Sequence, residues 1–338
     1  MRIQRSVTTS ERSRSRLKRS AVAALARVLG VPASVIAERL LRLSARQTGV
    51  VFAYHGVEYR PSDPDTQILA AHEASVFEAQ LRHLRSRYRI VPAGEMLAAV
   101  RLRKRGERFP VAITFDDDLG SHASVALPIL QRAGAPATFF LSGASLGKPY
   151  AFWWERLQRA VETDVADVHA LVFPRRNLPH AGIRELCDAI EEATPLERDA
   201  VATRLSQAIG PDPSEAGMRE ADVRALRQAG MTIGFHTLRH DRLPPLRDSE
   251  LELAMAAGGK ELEHVSEHPL TVIGYPHGQA DERVAAAARK AGFCTGFLLN
   301  DEAVAPNDDP LLLGRVNPTR GSVGMFAAHL VYHLLRRP

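Results

Sequence analysis

From about residue 49 onward, short apolar runs alternate with stretches whose apolar residues recur at helical spacing, and this alternation constrains the fold more than any other feature. Runs at 50–54, 88–91, 111–115, 137–141, 232–235, 270–275, 293–298 and 311–316 read as strands. Helical patterns lie between them, with Phe77, Leu81 and Leu84 in one and residues 125–132, 222–229, 250–265 and 282–291 in others. Gly134 is placed to stop the helix before it. Strands in regular alternation with helices point to parallel βα units, hence a barrel or an open doubly wound sheet. The chain has neither a GxGxxG turn nor a Walker-type phosphate loop, so the nucleotide-binding open sheet loses its main support. A barrel of seven to eight parallel strands is expected over residues 48–320.

Three segments stand outside that repeat. Residues 143–217 form a helical insertion, with patches at 154–161, 183–193 and 196–209 and with Pro174, Pro179, Pro211 and Pro213 as punctuation. A C-terminal helix is expected over 321–338. Residues 1–47 hold 11 Lys and Arg against Glu11 and Glu38, so the leader carries +9 and the remainder −4 of the net +5. The mildly acidic body argues against a general nucleic-acid surface. The leader reads as a solvated arm followed by amphipathic helices within 20–44, and its charge suits weak contact with anionic lipid headgroups. Basic residues from Arg12 to Arg19 precede an Ala-rich stretch, but Arg27 interrupts it where a secretory signal needs an unbroken apolar block. The expected compartment is the cytoplasm, with the leader at the inner membrane face if it meets lipid. Two cysteines, Cys187 and Cys294, are too few for a disulfide framework or a cysteine zinc site.

In a βα barrel, chemistry gathers at the C-terminal ends of the strands. His55, Asp116, Asp117, His236, His277 and Arg315 all sit at or just beyond such an end. Asp116, Asp117 and Asp118 are adjacent carboxylates after an apolar strand, an arrangement that is costly without a nearby cation. His236 and His240 are spaced to lie on one face of a helical turn and share a metal. His264/His268 and His329/His333 have the same spacing, but neither pair ends a strand, and both are expected to be surface or packing residues. One carboxylate with two histidines leaves room for water on a metal, as a catalytic zinc site requires.

At these residues the chain resembles the polysaccharide deacetylases with the NodB homology domain, carbohydrate esterase family 4. Thr114-Phe115-Asp116-Asp117 is similar to the family's TFDD motif, and His236-Thr237-Leu238-Arg239-His240 to H-[ST]-x-x-H. Tyr275-Pro276-His277-Gly278 looks like the third motif; Ala53 to Val57 and Phe152 to Glu155 are similar to segments common in the group. The resemblance implies a distorted (β/α) barrel and a divalent metal, commonly zinc. Asp117, His236 and His240 would be its ligands, and Asp116 the base that activates water. The His277 backbone amide would hold the oxyanion, with Tyr275 and Trp154 beside the substrate.

Some positions depart from the pattern. Asp118 stands where the family usually has glycine, and Gly274 where it often has the arginine that steadies the base, a part Arg315 could take. His277 replaces tyrosine. The late L-x-H motif with the general acid is absent, and Ala53-Tyr54-His55 fits its place in permuted relatives, making His55 the candidate acid. The expected activity is de-N-acetylation of sugars in a polysaccharide or glycan precursor. Two other functions suit the same scaffold: hydrolysis of another carbon–nitrogen bond, as in a cyclic imide or formamide, and non-catalytic carbohydrate binding.

Overall fold

The computed structural model describes residues 34–63, 66–172 and 182–336. The basic arm expected before residue 34 lies outside these residues, while residues 34–42 are helical, as the amphipathic pattern predicts. In chain order the strands are β1 (Val50–Tyr54), β2 (Val57–Glu58), β3 (His72–Glu73), β4 (Arg89–Ile90), β5 (Pro110–Asp116), β6 (Thr138–Leu141), β7 (Thr232–Phe235), β8 (Val272–Gly274) and β9 (Thr295–Phe297). All but the small β2–β3 pair join one sheet, and every pairing in it is parallel.

The sheet is built around β5, whose seven residues are all buried. One edge of β5 pairs along the whole of β1, from Val50↔Val111 to Tyr54↔Phe115. The other edge takes β4 near its start and β6 near its end. From β6 the order continues through β7 and β8 to β9. The expected strand at 311–316 is reduced to bridges at Leu313 and Val316, yet it closes the barrel. Leu298 donates its amide to the Leu313 carbonyl and Val316 to that of Val51, each at 2.8 Å. The ladder stops short because the Arg315 carbonyl accepts from the Asp301 amide in the adjoining loop at 3.0 Å.

Alternation along the strands separates two cores. Val50, Phe52, Tyr54, Ile113 and Phe115 join the large cluster with the surrounding helices. Val51, Ala112, Phe140, Val272, Phe297 and Leu313 form a small interior cluster. Phe140 dominates that interior. A Cβ at Gly234 or Gly274 would come within 2.6 or 2.7 Å of its ring, so β7 and β8 need glycine there.

Outside the sheet, the helix Ala74–Arg87 buries Phe77, Leu81 and Leu84, and the helix Leu127–Ala133 ends at Gly134 in the left-handed region (φ 56°). The single helix expected over 250–265 is two, Asp248–Ala256 and Gly259–Ser266. They part at Gly258, where φ is 79° and a Cβ would meet Leu238 at 3.1 Å. The insertion contributes helices Trp153–Glu162, Val168–Val172, Ile183–Glu191 and Pro195–Ile209 around a core of their own, with Leu157, Ile190, Val201 and Leu205 at its centre. The helix Val323–Arg336 lies against β1, Phe326 packing on Phe52 at 4.8 Å between rings. Among the described residues, no helix is long and apolar enough to cross a membrane.

Candidate metal centre

β5 and β7 are paired through β6, so their C-terminal ends lie two strands apart at one rim of the barrel. Asp117 follows β5 and His236 follows β7. Asp117 Oδ1 stands 3.6 Å from His236 Nε2 and 3.6 Å from His240 Nε2. Two ligands about 2.0–2.2 Å from one zinc ion, at the tetrahedral angle, are about 3.4 Å apart. The spacing therefore suits a shared ion.

The backbone is bent to make this convergence. Asp117 (φ 71°), Thr237 (φ 56°), His240 (φ 51°) and His277 (φ 57°) all adopt left-handed conformations that side chains beyond glycine usually avoid. His236 and His240 consequently do not share a helical turn, as their spacing predicts. They flank a tight turn in which Thr237 and His240 reverse the chain, His240 donating its amide to Thr237 at 3.3 Å.

Three observations support a cation at this point. Asp117 Oδ1 is buried without a hydrogen-bond partner. The His236 ring is 2.7 Å through Nδ1 from the Gly274 carbonyl, which can only accept; Nδ1 carries the proton and the Nε2 lone pair faces Asp117. Burial and then the Asp116 charge push the Asp117 carboxyl well above the usual range, and burial lowers both imidazoles. A dication would reverse the carboxylate's penalty and is best bound by neutral rings. The three residues fit a divalent ion.

Asp116 has the opposite environment. Arg315, fully buried, donates to its Oδ1 at 2.6 Å and Oδ2 at 2.8 Å. It also donates to Thr114 Oγ1 and, through Nε, to the Leu298 carbonyl. Burial alone would raise the Asp116 pKa, but Arg315 and His236 bring it down to about 2. Position 274 could not supply this guanidinium, because Phe140 occupies the space beside it. Arg315 instead reaches Asp116 from the closing segment, its charge 5.2 Å from the Phe140 ring centre.

Asp116, Asp117, His236 and His240 line one cleft of about 380 Å³, together with His55, His277 and Trp154. Burial lowers His55 to about 4, so its ring is neutral near pH 7. His277 lies with its ring centre 4.7 Å from that of His240 and its Nδ1 3.7 Å from Glu191. Trp154 is 6% exposed, stacked on Phe152 and 4.7 Å from the His240 ring; it forms a wall, not an open platform. Tyr275 is not brought into the cleft. Its side chain is fully buried in the outer core, and its hydroxyl donates to the Leu311 carbonyl at 2.9 Å.

Other contacts, between residues far apart in the chain, complete the site. Asp118 accepts from the Ser142 amide (2.7 Å), the Ser142 hydroxyl (2.6 Å) and the Ala144 amide (3.1 Å), tying the β5 and β6 loops together. That is what a carboxylate does where glycine is usual. The insertion grips the histidine turn: Arg198 donates to Asp241 at 2.6 Å in a buried pair, and Arg239 to Asp199 at 2.9 Å. The helix Ile183–Glu191 also sends Cys187, Asp188 and Glu191 to the cleft wall.

The sequence profile of the polysaccharide deacetylase family matches residues 103–193 and 202–296, more than half of the chain. The chain belongs to the polysaccharide deacetylase family. It is 21% identical over 256 residues to YxkH of Bacillus subtilis (strain 168), a protein named for the polysaccharide deacetylases; the match spans 75% of this chain and 68% of YxkH. Among solved structures, it is similar to the Streptococcus pyogenes deacetylase PplD in complex with acetate (TM-score 0.57, 16% identity, 85% of this chain and 98% of PplD). It is also similar to IcaB from Ammonifex degensii (TM-score 0.54, 19% identity, 83% of this chain and 97% of IcaB). These likenesses establish the fold, the distorted parallel barrel described above.

Proposed function

We propose that this deacetylase-family chain removes acetyl groups from N-acetylated sugars, in a polysaccharide or glycan precursor, with a divalent metal at Asp117, His236 and His240. The observation that carries the proposal is their convergence beside an ionised, Arg315-anchored Asp116 within one cleft. The acetate in the PplD structure suits this reading, since acetate is the acid such a reaction releases.

A divalent ion, zinc by the donor set, would supply Lewis acidity to the acetamide carbonyl and acidify water. Asp116 accepts a proton from the attacking water, with Arg315 fixing both of its oxygens. The new carbon–oxygen bond forms as the carbonyl π-bond opens, and the His277 amide faces the developing oxyanion. His55, neutral at the outset, takes up the proton that Asp116 drew from the water and delivers it to the sugar nitrogen as the carbon–nitrogen bond breaks, leaving Asp116 ionised again. Trp154 bounds the site where the sugar enters. The same reading keeps the enzyme in the cytoplasm with its basic leader against anionic lipid, a placement supported by the leader's charge.

The test is acetate release from N-acetylglucosamine oligomers, before and after chelation and after zinc is restored. Release that stops on chelation and returns with zinc is expected. Undiminished release from metal-free protein, or turnover confined to imides and formamides in a parallel panel, would overturn the proposal.

A further inference from the structure

The helix Val323–Arg336 turns its apolar face to the barrel through Phe326, Leu330 and Leu334, all fully buried. His329 and His333 sit one turn apart on it, neighbours on a helix surface. Their Nε2 atoms are 2.9 Å apart. His333 is 1% exposed, and neither ring's Nδ1 has a hydrogen-bond partner. Facing this pair is Asp301, in the loop after β9, with Oδ1 4.0 Å from His333 Nε2. Asp301 is held there by its backbone: φ is 62°, and its amide donates to the Arg315 carbonyl. One ligand atom from each of the three lies within 4.8 Å of the others.

We propose that Asp301, His329 and His333 form a second, non-catalytic site for a zinc-class divalent ion on the outside of the barrel. Two imidazole nitrogens on one zinc ion stand about 3.3 Å apart, so the pair opens by a few tenths of an ångström to take the ion. The Asp301 side chain is 57% exposed, which gives it freedom to swing inward and gives the ion an entry path and room for water. Without an ion, only one ring can point a proton at the other, and both buried Nδ1 atoms stay unpaired whichever ring does so. Two imidazoles facing each other through Nε2 beside a carboxylate are better matched to a cation. No acid or base comparable to Asp116 accompanies them, and none of the three lines the catalytic cleft. The ion would therefore act as a clasp. It would join the last helix to the loop whose Asp301 amide holds Arg315, and so brace the segment that closes the barrel.

Zinc binding to metal-free protein, followed by calorimetric titration and by thermal melting, tests the clasp separately from the catalytic centre. Wild-type protein is expected to take up one zinc more per chain than the Asp301→Asn/His329→Gln variant. Protein lacking the catalytic ligands through Asp117→Ala and His240→Ala is expected still to bind zinc and to melt at a higher temperature with it. Asp301 is exposed, His329 is half-buried at the edge of its helix, and neither lines the catalytic cleft, so the Asp301→Asn/His329→Gln variant is expected to keep its fold and its deacetylase activity. Equal zinc uptake by the wild type and this variant, or zinc bound with no change in melting temperature, would mean adventitious surface binding and overturn the proposal.

Discussion

The molecule holds an aspartate with two histidines four apart in two places, and the two differ in everything around them. At the barrel mouth, Asp117, His236 and His240 are buried, Asp117 and His240 on left-handed backbone, and they share a cleft with His55 and with Asp116, which Arg315 holds from behind. On the outside of the barrel, Asp301 from the loop after β9 and His329 and His333 from an ordinary helix make a comparable cluster, half open to solvent and away from the cleft. The difference teaches that ligand spacing supplies at most a metal. Reaction needs a proton acceptor, a group to orient it and a substrate-sized space, and only the strand ends bring these together.

The sharpest way to break this contrast is to neutralise one carboxylate in each region. Asp116→Asn should lower kcat/KM for acetate release by about 10²–10⁴-fold, the range for loss of a general base, with zinc still bound. Asp301→Asn should leave the rate unchanged. Next is Arg315→Ala, which strands a buried carboxylate and should cost about 3–5 kcal/mol of stability, read from denaturant unfolding, in addition to losing activity. The sign with pH follows from Asp116. Its pKa is depressed to about 2, so its contribution to stability is present above pH 3.8 and is lost as pH falls through 2.

His55→Gln should cost about 10²-fold in kcat/KM at pH 7. Because burial holds His55 near 4, the wild-type profile should show no loss of activity centred on the ordinary histidine value of about 6.5 as pH is lowered. A limb there would contradict the role given to this ring. The smallest effect should come from Tyr275→Phe. It removes one buried hydrogen bond, worth about 1 kcal/mol in a melting experiment, and should leave the deacetylation rate untouched.

The sequence shows much of this because parallel βα units leave two legible marks, apolar runs at strands and polar residues at their C-terminal ends. β5 is the clearest case: seven buried residues deliver Asp116 to the rim. Tyr275 is not beside the substrate: motif membership does not say which way a side chain faces, and the residue after β8 turns outward to Leu311. The left-handed turn at His240 was hidden for a related reason, since four-residue spacing looks the same whether the chain coils or reverses. Arg198–Asp241 and Asp118–Ser142 are tertiary pairs 43 and 24 residues apart, with nothing in either local segment to announce the other. Asp301 is the same case, 28 residues before His329 and brought to it only by barrel closure.

Anomalous X-ray diffraction at the zinc absorption edge, on crystals of catalytically active protein, asks most directly whether the barrel mouth is a metal centre. A peak within bonding distance of Asp117, His236 and His240 at once is the expected result. Active crystals with no anomalous signal among those three side chains would contradict it.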